Sequence, residues 1–170
     1  MSKIKIAVVG VGSLGQHNAR ILSTHENAEL VGVVDADAKR GETIAKKCNT
    51  VNFTDVKDVI GKIQAAVISV PTPYHYDIAK QLLQNGIHCL VEKPFTETVE
   101  QSTELIRIAR DKNLVLQVGH VERFNPAIIA AYPYVKDPKF IEVNRLGPYD
   151  PRTAHIGVVL DLMIHDLDML

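Results

Sequence analysis

Three observations predict a doubly wound α/β fold built on a parallel sheet. Short apolar, β-branched runs alternate with longer segments of helical period, a glycine-rich loop joins the first run to the first helix, and an acid ends the second run. The first strand is expected over 3–9 (KIKIAVV), and a helix over 13–24 has Leu14, Ile21 and Leu22 on one side. A second strand follows over 28–35, a helix over 38–47 and a short strand over 50–53. A short helix over 56–62 leads to a strand over 65–70, then a helix over 76–84 and a strand over 87–91. A long helix over 98–112 starts with Thr98 and Gln101 at capping-box spacing, and the strand 114–119 closes the series. Apolar strands without polar alternation, set between amphipathic helices, indicate a parallel sheet covered on both faces.

After Gly119 the pattern changes. HVERFNPAIIAAYPYV carries prolines and a short helix, 139–147 alternates like a half-exposed strand, and a final helix follows. The expected organisation is a nucleotide-binding domain over 1–120 and the beginning of a second domain over 121–170, the join falling near 119–123. The last segment, HIGVVLDLMIHDLDML, is strongly apolar and stops without a cap or polar tail, so the chain is expected to be a fragment whose second domain is begun and not completed.

The chain has 170 residues, 46% of them hydrophobic and 23% charged, the balance of an ordinary globular protein. A net charge of −1 supplies no basic field for nucleic acid or an acidic membrane, so neither is expected as a partner. No apolar run is long enough to span a bilayer, and the N-terminus lacks a signal peptide's cleavage site. Cys48 and Cys89 lack metal spacing, and a reducing, cytoplasmic location fits them, with Cys89 as a small core residue.

Gly10-Val11-Gly12-Ser13-Leu14-Gly15 is a G-x-G-x-x-G set placed after a strand and at the opening of a helix, with Asp35 a further 20 residues on. That context is the dinucleotide fingerprint of the Rossmann fold. The first glycine allows the tight turn, the second lets the backbone approach a pyrophosphate, and the third permits close helix–strand packing. The helix N-terminus favours phosphate. Asp35 can accept from the adenosine ribose hydroxyls and would repel a 2′-phosphate, which favours NAD over NADP; Lys39 and Arg40 nearby weaken that preference.

Ligands of such sheets bind beyond the carboxyl ends of the strands. The other strand ends carry Ser69, Val70, Pro71, Thr72 and His75, then Glu92-Lys93-Pro94, then Gln117 and Gly119-His120 leading to Arg123. Read alone, Lys93 is either a solvated strand-end lysine or an active-site group, and His75 either a loop histidine or a cofactor contact. Asp161, His165 and Asp168 fall on one face of an α-helix, where they serve as core polar groups, catalytic groups or metal ligands; no further clustered ligand supports a metal.

The glycine loop, Pro71-Thr72-Pro73-Tyr74-His75, Glu92-Lys93-Pro94 and Asp161-Leu162-Met163-Ile164-His165, in that order, resemble the Gfo/Idh/MocA family of nicotinamide-dependent oxidoreductases over essentially the whole chain. The resemblance implies a Rossmann domain followed by an α+β domain with a mostly antiparallel sheet, here incomplete, and a homo-oligomer for the full-length protein. It implies NAD as cofactor, held by Gly10, Gly12, Ser13, Leu14, Gly15, Asp35, Ser69, Val70, Pro71, Thr72, His75, Glu92, Lys93 and Gln117. It makes Lys93, His165 and Asp161 catalytic, with a cis bond before Pro94. Such chemistry suits the residue types: histidine accepts a proton near neutral pH, a carboxylate orients it, and a lysine steadies a developing alkoxide.

Gly119-His120-Val121-Glu122-Arg123-Phe124-Asn125-Pro126 looks like the branch of that family that oxidises the 3-hydroxyl of UDP-N-acetylglucosamine. The implied substrate is a sugar or nucleotide sugar, contacted by Lys93, His120, Arg123, Asn125, Asp161 and His165; equally, Arg123 and Phe124 could pack the interdomain joint. A dehydrogenase of free sugars or inositol, and a nicotinamide-binding module without catalysis, remain the alternatives.

Overall fold

The computed structural model describes residues 2–146 and 157–170. Six parallel strands form one sheet in the order β3-β2-β1-β4-β5-β6. They are β1 (Ile4–Val9), β2 (Ala28–Val34), β3 (Val51–Phe53), β4 (Ala65–Ile68), β5 (His88–Val91) and β6 (Leu116–Val118). Helices α1 (Gly15–Thr24), α2 (Ala38–Lys47), α3 (His75–Gln84) and α4 (Val99–Asp111) make four of the five connections between strands. The order reverses between β1 and β4, which opens the crevice where such folds take their ligands.

The two-residue period of the strands builds two cores. On one face Ala7, Val9, Ala66, Ile68, Cys89 and Val91 meet Leu82 and Leu83 of α3 and Leu105 and Ile108 of α4. On the other, Val8, Val33 and Val67 meet Ala19 of α1 and Ile44 and Ala45 of α2. Leu82, Leu83 and Leu105 are fully buried, each worth about 1.5–3 kcal/mol relative to exposure. Cys89 is in this core, and burial pushes its thiol up to about 12, which suits an inert packing group.

α4 shows how locally the sequence speaks. The Thr98 hydroxyl accepts from the Gln101 amide at 3.3 Å, and the Gln101 side chain accepts from the Thr98 amide at 3.3 Å. The capping box is complete. Thr98→Ala is expected to cost about 0.5–2 kcal/mol, read as a shift in the denaturant midpoint. The strand expected over 114–119 is shorter, and the short helix expected over 56–62 is a 3₁₀ turn, Val56–Val59.

The chain divides into two compact units, residues 1–118 and 119–170. In the second, a 3₁₀ turn (Val121–Phe124) leads to α5 (Pro126–Ala131); later, a π-helical stretch (Val159–Met163) runs into α6 (Ile164–Met169). The strand expected over 139–147 does not form: residues 139–146 carry neither helix nor strand, and Gly147 lies outside the described residues. Alternation alone cannot hold a strand, because its N–H and C=O groups need a neighbouring ladder, and no strand of the second unit is present among the described residues. Of the expected final helical segment, His155 and Ile156 also lie outside them.

The π stretch corrects a second expectation. Asp161 lies inside it, so α-helical spacing does not place Asp161, His165 and Asp168 on one face; His165 and Asp168 share the α6 turn. An i→i+5 turn is wider than an α turn and often marks functional positions.

Candidate active site

The glycine loop is shaped by three different demands. Gly10 has φ +81°, and a Cβ there would stand 2.7 Å from Val70 Cγ1 and 2.8 Å from the Ser69 carbonyl. A Cβ on Gly15 would lie 1.8 Å from the Gly10 carbonyl oxygen, so α1 can approach the loop only with glycine at this position. Gly12 is the opposite case: a Cβ would meet nothing within 4 Å. That open space over the second glycine, at the N-terminus of α1, is the cradle a pyrophosphate requires, so these residues fit a dinucleotide.

Asp35 closes β2 beside this loop and is 4% exposed. Its Oδ2 accepts from the Val11 amide and Arg40 Nε, both at 2.9 Å. Its Oδ1 accepts from the Asp37 amide at 2.9 Å and Arg40 Nη2 at 2.7 Å. Burial, the largest single influence, pushes the carboxyl up; the Arg40 hydrogen bonds, the two amides and the Arg40 charge together outweigh it and hold it below its ordinary value of 3.8. A depressed carboxyl contributes stability that is fully present above the unfolded value and is lost as pH falls through the lower folded one. The stability gap between wild type and Asp35→Asn, followed by urea midpoints, is therefore expected to stay constant near neutral pH and to close only below pH 3.8.

The remaining strand ends face the same rim. Ser69, Val70 and Pro71 follow β4, Glu92 and Lys93 follow β5 and are half-buried, and exposed Gln117 lies on β6. The Lys93–Pro94 peptide is cis. Asn18, unremarked in the sequence, joins this rim from α1: its Nδ2 donates to Ser69 Oγ at 3.1 Å and to Glu92 Oε1 at 3.5 Å. Its only sequence signal is a position one turn after Gly15. Thr72 lies in a 3₁₀ turn (Thr72–Tyr74) that leads into α3.

His75, expected at the cofactor, is tied to the backbone beside this rim. The ring is 1% exposed, with Nδ1 2.8 Å from the Pro94 carbonyl oxygen and Nε2 2.8 Å from that of Val70. The ring is thus wedged between two backbone carbonyls, one on the loop after β4 and one on the loop that carries Lys93, and its N–H donates to one of them.

The second unit holds its own polar cluster. Arg123 donates from Nε and Nη2 to the Asp168 carboxylate, each at 2.8 Å, and His120 Nδ1 lies 3.7 Å from Asp168 Oδ2. Arg145 donates to the buried Asp166 from Nη2 at 2.6 Å and Nε at 3.1 Å. The Arg123 and Arg145 hydrogen bonds hold Asp168 and Asp166 below the usual carboxylate value, and the charge of neighbouring His165 acts in the same direction. His165 and Asp161 are both half-buried. Two expected substrate contacts are already engaged: Arg123 by Asp168, and Asn125 as the cap of α5, accepting from the Ala127 amide at 3.0 Å and donating to Glu122 at 2.9 Å. Arg145 and Asp166 carried no sequence signal, since only folding brings them together. Among the described residues, no group of three or more His, Cys, Asp or Glu is placed to hold a metal ion. No helix there is long and apolar enough to cross a membrane.

A parallel sheet whose carboxyl rim joins an open glycine loop at a helix N-terminus to a buried acid at the end of the second strand has the features of a dinucleotide-binding Rossmann unit. The chain belongs to the Gfo/Idh/MocA family: the model of that oxidoreductase family, with its NAD-binding Rossmann fold, matches residues 4–120. It is 37% identical, over 99% of its length and 54% of the relative's, to a UDP-N-acetylglucosamine 3-dehydrogenase of Acidithiobacillus ferrooxidans. It is 28% identical, over 98% of its length and 53% of the relative's, to an inositol 2-dehydrogenase of Rhizobium meliloti. A solved structure of the Acidithiobacillus ferrooxidans enzyme superposes with a TM-score of 0.91, covering 99% of this chain and 55% of that one. The chain thus spans about half the length of the relatives it matches.

Proposed function

We propose that the protein is an NAD-dependent dehydrogenase that oxidises a secondary hydroxyl of a sugar, the 3-hydroxyl of UDP-N-acetylglucosamine being the favoured target. The observation that carries this reading is Lys93 at the end of β5, on the same rim as the glycine loop and Asp35, within a Glu92-Lys93-Pro94 tip. The similarity to a UDP-N-acetylglucosamine 3-dehydrogenase supports the choice of sugar.

The bound nicotinamide supplies the hydride acceptor. The chain does the rest. The glycine loop and the N-terminus of α1 would hold the pyrophosphate, and Asp35 would take the adenosine ribose. The Lys93 ammonium steadies the alkoxide as the hydroxyl proton leaves. His165 accepts that proton, and Asp161 stabilises the imidazolium. Asn18, through Ser69 and Glu92, fixes the strand tip from which Lys93 projects.

The inositol-dehydrogenase relatives favour a second reading, a polyol or free-sugar dehydrogenase. NADH formation followed at 340 nm with UDP-N-acetylglucosamine, N-acetylglucosamine, glucose and myo-inositol separates them. Turnover with the nucleotide sugar is expected; turnover confined to the free compounds would replace the first reading with the second.

A further inference from the structure

We propose that His75 is a positioning residue for Lys93, its ring carrying the N–H on Nδ1 and holding the carbonyl of Pro94, the residue after the lysine. This rests on the dehydrogenase reading above. β4 and β5 run side by side as far as Ile68 and Val91. The Glu92 amide then donates to the Ile68 carbonyl at 3.0 Å. Lys93 stands just past that rung, so the pairing of the strands does not by itself fix its backbone. Beyond the ladder the His75 ring bridges the two chains, with the Val70 carbonyl on one side and the Pro94 carbonyl on the other.

The ring is a firm post. His75 is the first residue of α3, and Ala79, Leu82 and Leu83 of that helix are fully buried in the core. A neutral imidazole has a single N–H to share between the two carbonyls. Their claims on it are unequal. The contact to Pro94 is buried, and the contact to Val70 is only partly buried. A buried carbonyl left without a donor pays its full desolvation, whereas a partly buried one can turn to water. The N–H therefore belongs on Nδ1, facing Pro94. Lys93 needs such support because its ammonium acts on a charge that develops only during the reaction, where a misplacement of about 1 Å can cost about 10²-fold in rate. His75 touches no reacting atom in this account; it acts through the chain that carries the lysine.

The test is kcat with NAD and UDP-N-acetylglucosamine for wild type, His75→Leu, Lys93→Met and the double variant, with His75→Asn and His75→Gln alongside. His75→Leu removes the donor and keeps an apolar side chain in the core. It is expected to lower kcat by about 30-fold and to leave KM and NAD affinity within about threefold, since the interaction lost belongs to the transition state. In the Lys93→Met background the same change is expected to cost less than about threefold, because a residue that acts through Lys93 has nothing left to position. An asparagine presents its amide N–H near the place of Nδ1 and a glutamine near that of Nε2, so His75→Asn is expected to keep more of the rate than His75→Gln. These two polar variants decide the matter if His75→Leu does not fold. An equal loss in both backgrounds, a loss confined to KM or NAD affinity, or a faster His75→Gln than His75→Asn would overturn the proposal. No NADH from wild type with any of the four compounds would sink the dehydrogenase reading and this proposal with it, a result distinct from an equal loss in both backgrounds.

Discussion

Lys93→Met is expected to lower kcat by about 10³-fold while NAD binds as before, within about twofold. The two side chains have similar length and stem, so the substitution removes the ammonium and little else. Lys93 is half-buried at the tip of β5. Initial-rate kinetics and nucleotide titration on the same preparation check both halves of the statement. Retained turnover would return Lys93 to the role of a solvated strand-end residue; parallel loss of NAD binding would make it a cofactor anchor and not a catalytic group.

The second large effect is expected at Gly15, and Gly12 provides its control. In Gly15→Ala the new Cβ would sit 1.8 Å from the Gly10 carbonyl oxygen and 2.9 Å from its carbon. Both atoms are backbone, so the loop or the helix must move. A loss of roughly 1–3 kcal/mol or more in stability is expected, with NAD affinity falling by about 100-fold as the cradle shifts. In Gly12→Ala the Cβ meets nothing within 4 Å, so stability is expected to hold. The methyl nevertheless fills the space required by the pyrophosphate, and NAD affinity is expected to fall. Chemical unfolding paired with nucleotide titration separates the two variants. Equal behaviour would show that the loop is only a turn.

Much of the nucleotide-binding unit was legible because its signals are local. Val8, Val9, Val33, Val34 and Ile68 announce strands by their branching and burial, and Thr98 and Gln101 announce a helix start by spacing. The glycine loop was legible for the same reason, since its residues are consecutive. What the sequence does not show depends on contacts distant in sequence. Asn18 meets Glu92 across 74 residues, and Arg145 meets Asp166 across 21. Arg40 was visible as a nearby charge, yet its two hydrogen bonds to Asp35 were not. The motif places His75 at the cofactor and says nothing of its burial between two carbonyls, which follows from the way two loops meet. The π stretch over Val159–Met163 has no residue signature, because it is a choice of hydrogen-bond partner and not of side chain. The alternation over 139–147 was a real pattern, but a strand exists only when another strand pairs with it.

The central claim is that hydride leaves the sugar's third carbon for a nicotinamide held at the rim that carries Lys93. Deuterium placed at that carbon of UDP-N-acetylglucosamine tests it most directly, with the reduced cofactor analysed by mass spectrometry after turnover with NAD. The account predicts that the label appears in the reduced cofactor and disappears from the sugar. Reduced cofactor formed without label, the deuterium remaining at the third carbon, would contradict it.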